Sequence, residues 1–108
     1  MIGCGEHAFS SHGPAQAMYA ASHPEIDLAG CCDVDAAKAE EYRGRFGFGR
    51  AYTDLDSMLD VEHPDAVAVV VPVALTCDLA SRVLSRGIPT LLEKPPGETV
   101  AEADRLAA

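Results

Sequence analysis

Two groups of residues in this 108-residue chain have types and spacings that could do chemistry. Near the start, Gly3-Cys4-Gly5-Glu6-His7-Ala8 fits G-x-G-x-x-G/A. In that pattern the first glycine makes a tight turn, the second lets a diphosphate approach the backbone, and Ala8 permits close helix packing. Helix-opening amides and the positive end of the helix dipole then hold phosphates without any lysine. Toward the other end, Glu93-Lys94-Pro95 closes the last apolar run. An ammonium at the carboxyl end of a parallel strand stands where open α/β sheets bind ligands, and partial burial would lower its pKa from about 10.4 toward useful values. Lys94 could then hydrogen-bond a substrate oxygen and stabilise developing alkoxide charge. Each group also has a plainer reading: a sharp turn, and a solvated lysine beside Glu93.

Asp33 supplies context for the glycine turn. It follows the next apolar run, where a carboxylate accepts hydrogen bonds from the adenosine ribose hydroxyls of a dinucleotide. The plainer alternative is a strand-end residue capping the next turn. Facing a ribose, Asp33 would also select the cofactor. Two like charges about 4 Å apart cost roughly 1 kcal/mol in water and about 4 kcal/mol at an effective dielectric of 20. Val34 beside it offers no guanidinium to hold a 2′-phosphate. The expected cofactor is therefore NAD rather than NADP. His7 and His12 lie close to the turn and read as packing or solvated residues, with cofactor or substrate contact as the alternative. His23 and His63 precede prolines in loops.

The elements that must position these residues alternate between short apolar runs and helical patterns, the sequence form of a parallel βαβ sheet covered by helices. The strands are predicted at residues 26–32, 50–53, 66–71 and 89–93. The third is apolar at every position, as expected of a strand buried on both faces. Asp35 caps a predicted helix ending at Phe46 and Gly47, with Ala39, Tyr42 and Phe46 on one face. Asp54 caps a short helix over residues 55–59. Residues 75–86 form a helix ending at Gly87 that places Leu75, Leu79, Val83 and Leu84 toward the sheet. Thr99-Val100-Ala101-Glu102 is a capping box opening a last helix that runs to Ala108. Pro14 conflicts with a continuous helix from Gly5, so the helix is expected to kink there or to restart with Pro14 at its first position.

The fold class that results is α/β, a doubly wound parallel-sheet Rossmann fold. Only Met1 and Ile2 precede the glycine turn, and the last helix ends without a cap, so the reading is of a single partial domain over residues 1–108, truncated at both ends and marginal in stability. The length suffices for one core. A composition of 48% hydrophobic and 23% charged residues is that of a soluble globular protein. No apolar stretch approaches a membrane span, no signal peptide is recognisable, and a cytoplasmic location is the default. A net charge of −9 repels nucleic acid and anionic membranes. Cys4, Cys31, Cys32 and Cys77 lack C-x-x-C spacing and read as buried thiols, with a metal or redox role as the alternative. No metal ligand set is assigned.

The combination of Gly3-Cys4-Gly5, Cys32-Asp33-Val34-Asp35, Tyr52-Thr53-Asp54, Pro64-Asp65-Ala66-Val67, Val71-Pro72 and Gly87 through Leu92-Glu93-Lys94-Pro95 resembles the N-terminal domain of the Gfo/Idh/MocA oxidoreductases. The match covers nearly the whole chain, and Glu-Lys-Pro after the last strand is its most specific part. The resemblance implies an NAD(P)-binding domain followed, in a full-length member, by an α/β substrate domain. It further implies hydride transfer between the nicotinamide and a sugar, polyol or related hydroxyl compound, in a parent enzyme expected to be a homo-oligomer. Lys94 matches the family lysine that contacts substrate and assists proton transfer, with Glu93 and Pro95 positioning it. Val71 and Pro72 match the strand end along the nicotinamide side. Gly3, Gly5, Glu6, His7, Ala8, Asp33, Val71, Pro72, Glu93 and Lys94 are thus the expected cofactor residues, and Lys94 the catalytic one.

Two departures stand out. Family members often carry Asn after the proline and His four residues after it, whereas this chain has Val73 and Thr76. The usual catalytic histidine belongs to the second domain, so this chain by itself is expected to be inactive. Two alternatives from other classes are a family-like module that holds NAD for sensing or scaffolding without chemistry, and an S-adenosylmethionine methyltransferase. The methyltransferase fold offers no reason for Glu-Lys-Pro at the last strand.

Overall fold

The computed structural model describes residues 1–108 and contains four short strands and five α-helices, with a π-helical turn ahead of the first. The chain divides into two compact units, Met1–His63 and Pro64–Ala108.

In the first unit, strands β1 (Gly30–Cys32) and β2 (Arg50–Tyr52) pair in parallel, with Cys31 opposite Ala51. The opening segment lies along the other edge of β1: Ile2 bridges Cys32 in parallel, Gly3 N–H donates to the Cys32 carbonyl at 2.8 Å, and Cys32 N–H donates to the Met1 carbonyl at 2.9 Å. β1 is consequently bonded on both edges and buried along its length. The strand expected from Ile26 begins later, since Ile26 is exposed and its N–H closes a turn onto the His23 carbonyl. Backbone pairing still extends ahead of β1, as Gly49 and Arg50 donate to Leu28 and Ala29.

Helix α2 (Ala36–Phe46) has the expected ends: Asp35 accepts from Ala37 and Lys38 N–H, Gly47 adopts the left-handed conformation, and Ala39, Tyr42 and Phe46 are the buried face. Helix α3 (Leu55–Glu62) starts at its predicted cap, Asp54, and runs a turn further than its apolar residues indicate. The extra turn holds Glu62, whose carboxylate accepts from the Tyr52 hydroxyl at 2.5 Å. It stops at His63, left-handed at φ 45°, ahead of Pro64.

The expected restart is borne out, with a new α-helix opening one residue before Pro14. A π-helical turn, Ala8–His12, leads directly into α1 (Gly13–Ser22), and Gly13 N–H reaches back five residues to the Ala8 carbonyl. The widened turn lets a residue without an N–H sit at the start of α1 while the chain stays helical. Gly13 packs directly on Phe46: a Cβ there would stand 2.3 Å from the ring.

In the second unit, β3 (Val67–Val69) and β4 (Thr90–Leu92) pair in parallel with Ala68 opposite Leu91. Val67, Val69 and Val70 are buried, whereas Ala66 is exposed and Ala68 half-buried, so the run is not covered throughout as its composition implied. Helix α4 (Val73–Leu84) buries Thr76, Cys77, Ala80 and Val83. Val83 is buried and Leu79 half-buried as expected, but Leu75 and Leu84 are not on the covered face. Leu75 is 51% and Leu84 38% exposed, because small residues at 76, 77 and 80 let the helix approach its neighbours closely and rotate the leucines outward. Helix α5 (Val100–Ala107) opens on Thr99, whose hydroxyl accepts from Glu102 N–H at 3.2 Å. Glu102 returns the bond one residue earlier than a capping box requires, to Glu98 N–H, across Gly97.

Candidate functional site

The glycine turn is built where the opening segment leaves β1. Gly3 has φ +91°, a conformation that favours glycine, and this is the tight turn that the motif predicts. Phe9 N–H donates to the Gly5 carbonyl at 2.9 Å, which marks Gly5 as the residue where the helix begins. Amides in the first turn of a helix have no partner within it and concentrate the positive end of the dipole. Ala8 is 1% exposed, matching the close packing asked of the third motif position.

Gly5 is under neither of the constraints that fix Gly3 and Gly13. Its φ is not in the left-handed region, and a Cβ added there would meet nothing within 4 Å. Neither backbone strain nor packing demands a glycine. It leaves a bare, open stretch of main chain at a helix N-terminus. A diphosphate suits such a stretch in charge and in its need for amide donors.

Asp33 joins the two halves of this corner. One carboxylate oxygen accepts from Cys4 N–H, inside the glycine turn, at 2.9 Å; the other accepts from Asp35 N–H at 2.9 Å. The turn-capping reading and the ligand reading are therefore compatible, since each carboxylate oxygen has a second lone pair. Val34 is 93% exposed next to it.

All four cysteines are buried and unbridged. The Cys4 and Cys31 thiols act on each other's ionisation. The neighbouring Cys31 thiol and burial push Cys4 up, while the neighbouring Cys4 thiol draws Cys31 down. Burial raises Cys32 to about 11. Cys4 thus sits in the glycine turn as a protonated packing group, its Sγ 3.6 Å from the Cys32 carbonyl.

In the second unit, Val71 is half-buried and Pro72 caps α4. Thr76, one of the two departures from the family pattern, is 3% exposed and donates its hydroxyl to the Pro72 carbonyl at 3.4 Å, so it is committed to the helix start. Glu93 is half-buried, and the Lys94–Pro95 peptide is cis. Lys94 is exposed, which corrects the partial burial expected for it: β4 ends at Leu92 and the lysine stands past the strand end.

Sequence reasoning missed the contact that fixes the helix after the turn, Gly13 on Phe46, and the π turn itself. The only signal was Pro14 five residues after Phe9. It also missed Gln16, which accepts from the buried Tyr42 hydroxyl at 2.8 Å.

A glycine turn at a helix N-terminus, a strand-end acid tied to it, and parallel βαβ units together define a nucleotide-binding α/β protein of the Rossmann class. The sequence model described as oxidoreductase family, NAD-binding Rossmann fold (GFO_IDH_MocA) matches residues 1–108, and the chain belongs to that family. Among solved structures, the chain is similar to KijD10, a 3-ketoreductase from Actinomadura kijaniata, in complex with TDP-benzene and NADP, with 27% identity and a TM-score of 0.84 over 98% of this chain and 32% of that one. It is similar to an oxidoreductase domain protein from Kribbella flavida, with 30% identity and a TM-score of 0.79 over 98% of this chain and 29% of that one. It shares its fold with the WlbA dehydrogenase from Bordetella pertussis, in complex with NADH and UDP-GlcNAcA, at 24% identity and a TM-score of 0.86 over 98% of this chain and 31% of that one. The chain spans about a third or less of the length of these proteins. No match was found among curated protein sequences.

Proposed function

We propose that this chain is the NAD-binding part of an oxidoreductase that transfers hydride between the nicotinamide and a sugar, polyol or related hydroxyl compound, nucleotide-linked sugars included. The observation that carries the reading is Gly5: a glycine required by neither backbone conformation nor packing, at a helix start, beside the carboxylate of Asp33. In this reading the backbone of Gly3, Gly5, Glu6, His7 and Ala8 holds the diphosphate. Asp33 accepts from the adenosine ribose hydroxyls while keeping its bond to Cys4 N–H. Its charge, with Val34 rather than a cation beside it, disfavours a 2′-phosphate, so NAD is the cofactor and NADP the poorer one. When bound, the cofactor supplies the ring that accepts or donates hydride.

Val71 and Pro72 line the nicotinamide end, and Lys94, set by Glu93 and Pro95, is the catalytic residue. Its ammonium donates a hydrogen bond to the reacting oxygen and stabilises the alkoxide that develops there. Exposure of Lys94 in this chain is consistent with a group that receives its substrate surroundings from a further domain. The substrate, the parent's homo-oligomeric state and a cytoplasmic location belong to the same proposal. So does the inactivity of this chain alone.

The test is a titration of the folded chain with NADH and NADPH, repeated on Asp33→Ala. Saturable NADH binding, tighter than NADPH, with both the affinity and the preference reduced by the substitution, is the expected result. Equal affinity for the two nucleotides in the unsubstituted chain would remove the role given to Asp33.

A further inference from the structure

We infer that the π turn builds a bis-imidazole site for a divalent transition-metal cation from His7 and His12, an inference independent of the nucleotide reading. In an α-helix two residues five apart are separated by about 140° around the axis and face different ways. A π turn closes i→i+5 bonds and stacks such residues one above the other. The Gly13 N–H to Ala8 carbonyl bond shows this register in the Ala8–His12 turn. Its consequence is that the rings of His7 and His12 meet edge to face with centroids 5.4 Å apart, and a ring nitrogen of one lies within 4.8 Å of a ring nitrogen of the other.

Two imidazoles on one tetrahedral zinc, with metal–nitrogen bonds of about 2.0–2.1 Å, hold their nitrogens roughly 3.3 Å apart. The difference is within the reach of side-chain rotation, since His7 is exposed and His12 half-exposed. Paired imidazoles are the donors preferred by zinc, nickel and copper rather than by magnesium or calcium. The cysteines do not compete from the same surface, as all four are buried. Of the remaining histidines, His23 stacks on Tyr19 at 3.7 Å and His63 lies at the end of α3. No covalent or redox step is involved; binding displaces water from the ion and requires both rings in the neutral form.

The test is calorimetric titration of the full chain with Ni²⁺ in the absence of nucleotide, paired with imidazole ¹⁵N NMR in the presence of Zn²⁺. One equivalent of metal should bind, and the His7 and His12 ring signals should shift together while those of His23 and His63 stay in place. His7→Ala and His12→Ala should each weaken binding about tenfold or more, because losing even a residue that merely supports a ligand lowers metal affinity about 10–100-fold. His7→Gln and His12→Gln serve the same comparison if an alanine variant loses helix signal by circular dichroism. Metal binding that survives the double substitution, ring shifts confined to other histidines, or no binding by the folded chain would each overturn the inference. Failure of NADH binding alone would leave it standing.

Discussion

At the scale of single residues, the glycines divide by the reason each is a glycine. Gly3 is set by its φ and Gly5 by nothing in the protein itself, whereas Gly13 is set by the ring of Phe46. These reasons make opposite forecasts. Gly13→Ala pushes a Cβ into a buried ring, and thermal unfolding should show a loss of about 1–3 kcal/mol, typical of overpacking. The cysteines give a pH dependence. Cys32 has an ordinary value of 9.0 raised to about 11 by burial, so between those values the folded chain holds a proton that the unfolded chain has released. The contribution of Cys32 to stability should therefore fall as pH rises from about 9 to 11, by on the order of 2 kcal/mol, and be constant below that range. Denaturant melts of the chain and of Cys32→Ala check this. The substituted chain should lose less over the same window, and equal losses would assign the alkaline effect to other groups.

At the scale of elements, much of the fold could be read ahead of the structure because the signals were local. Asp35, Asp54 and Thr99 cap the helices they were expected to cap, and Gly47 ends α2 as a left-handed residue. The strands lie where their apolar runs lie, though shorter, since pairing requires a neighbour as well as a composition. The misreadings share one cause, contact between elements. The buried face of α4 is chosen by the small residues that let it approach its neighbours, so Leu75 and Leu84 face outward despite their hydrophobicity. The last turn of α3 is held by Glu62 accepting from Tyr52 of β2, a bond no helical pattern encodes. The π turn is the sharpest case. Pro14 announced a conflict, but its resolution depends on Gly13 lying against Phe46 of α2. Of the candidate site, the glycine turn and Asp33 were legible because spacing defines them. The bond from Cys4 N–H to Asp33 and the exposure of Lys94 were not, because both depend on where strands end.

At the scale of the whole molecule, the proposed site asks a chain of net charge −9 to hold an anionic dinucleotide with main-chain amides. That has a salt signature. A site made of lysines and arginines weakens steeply with ionic strength, whereas here the long-range field is repulsive and salt screens it. NADH affinity should hold steady or rise between about 0.05 and 0.2 M salt, a range over which the Debye length shortens from roughly 14 to 7 Å. A steep fall would point to cationic side chains as the phosphate ligands. The central claim, that the bare backbone at Gly5 is a diphosphate seat, is tested most directly by comparing NADH binding of the chain with that of Gly5→Val. The added Cβ meets nothing within 4 Å, so the melting temperature should hold, while affinity should fall by about tenfold or more, 1.4 kcal/mol. Equal NADH binding by the two chains, or none by a folded unsubstituted chain, would contradict the account.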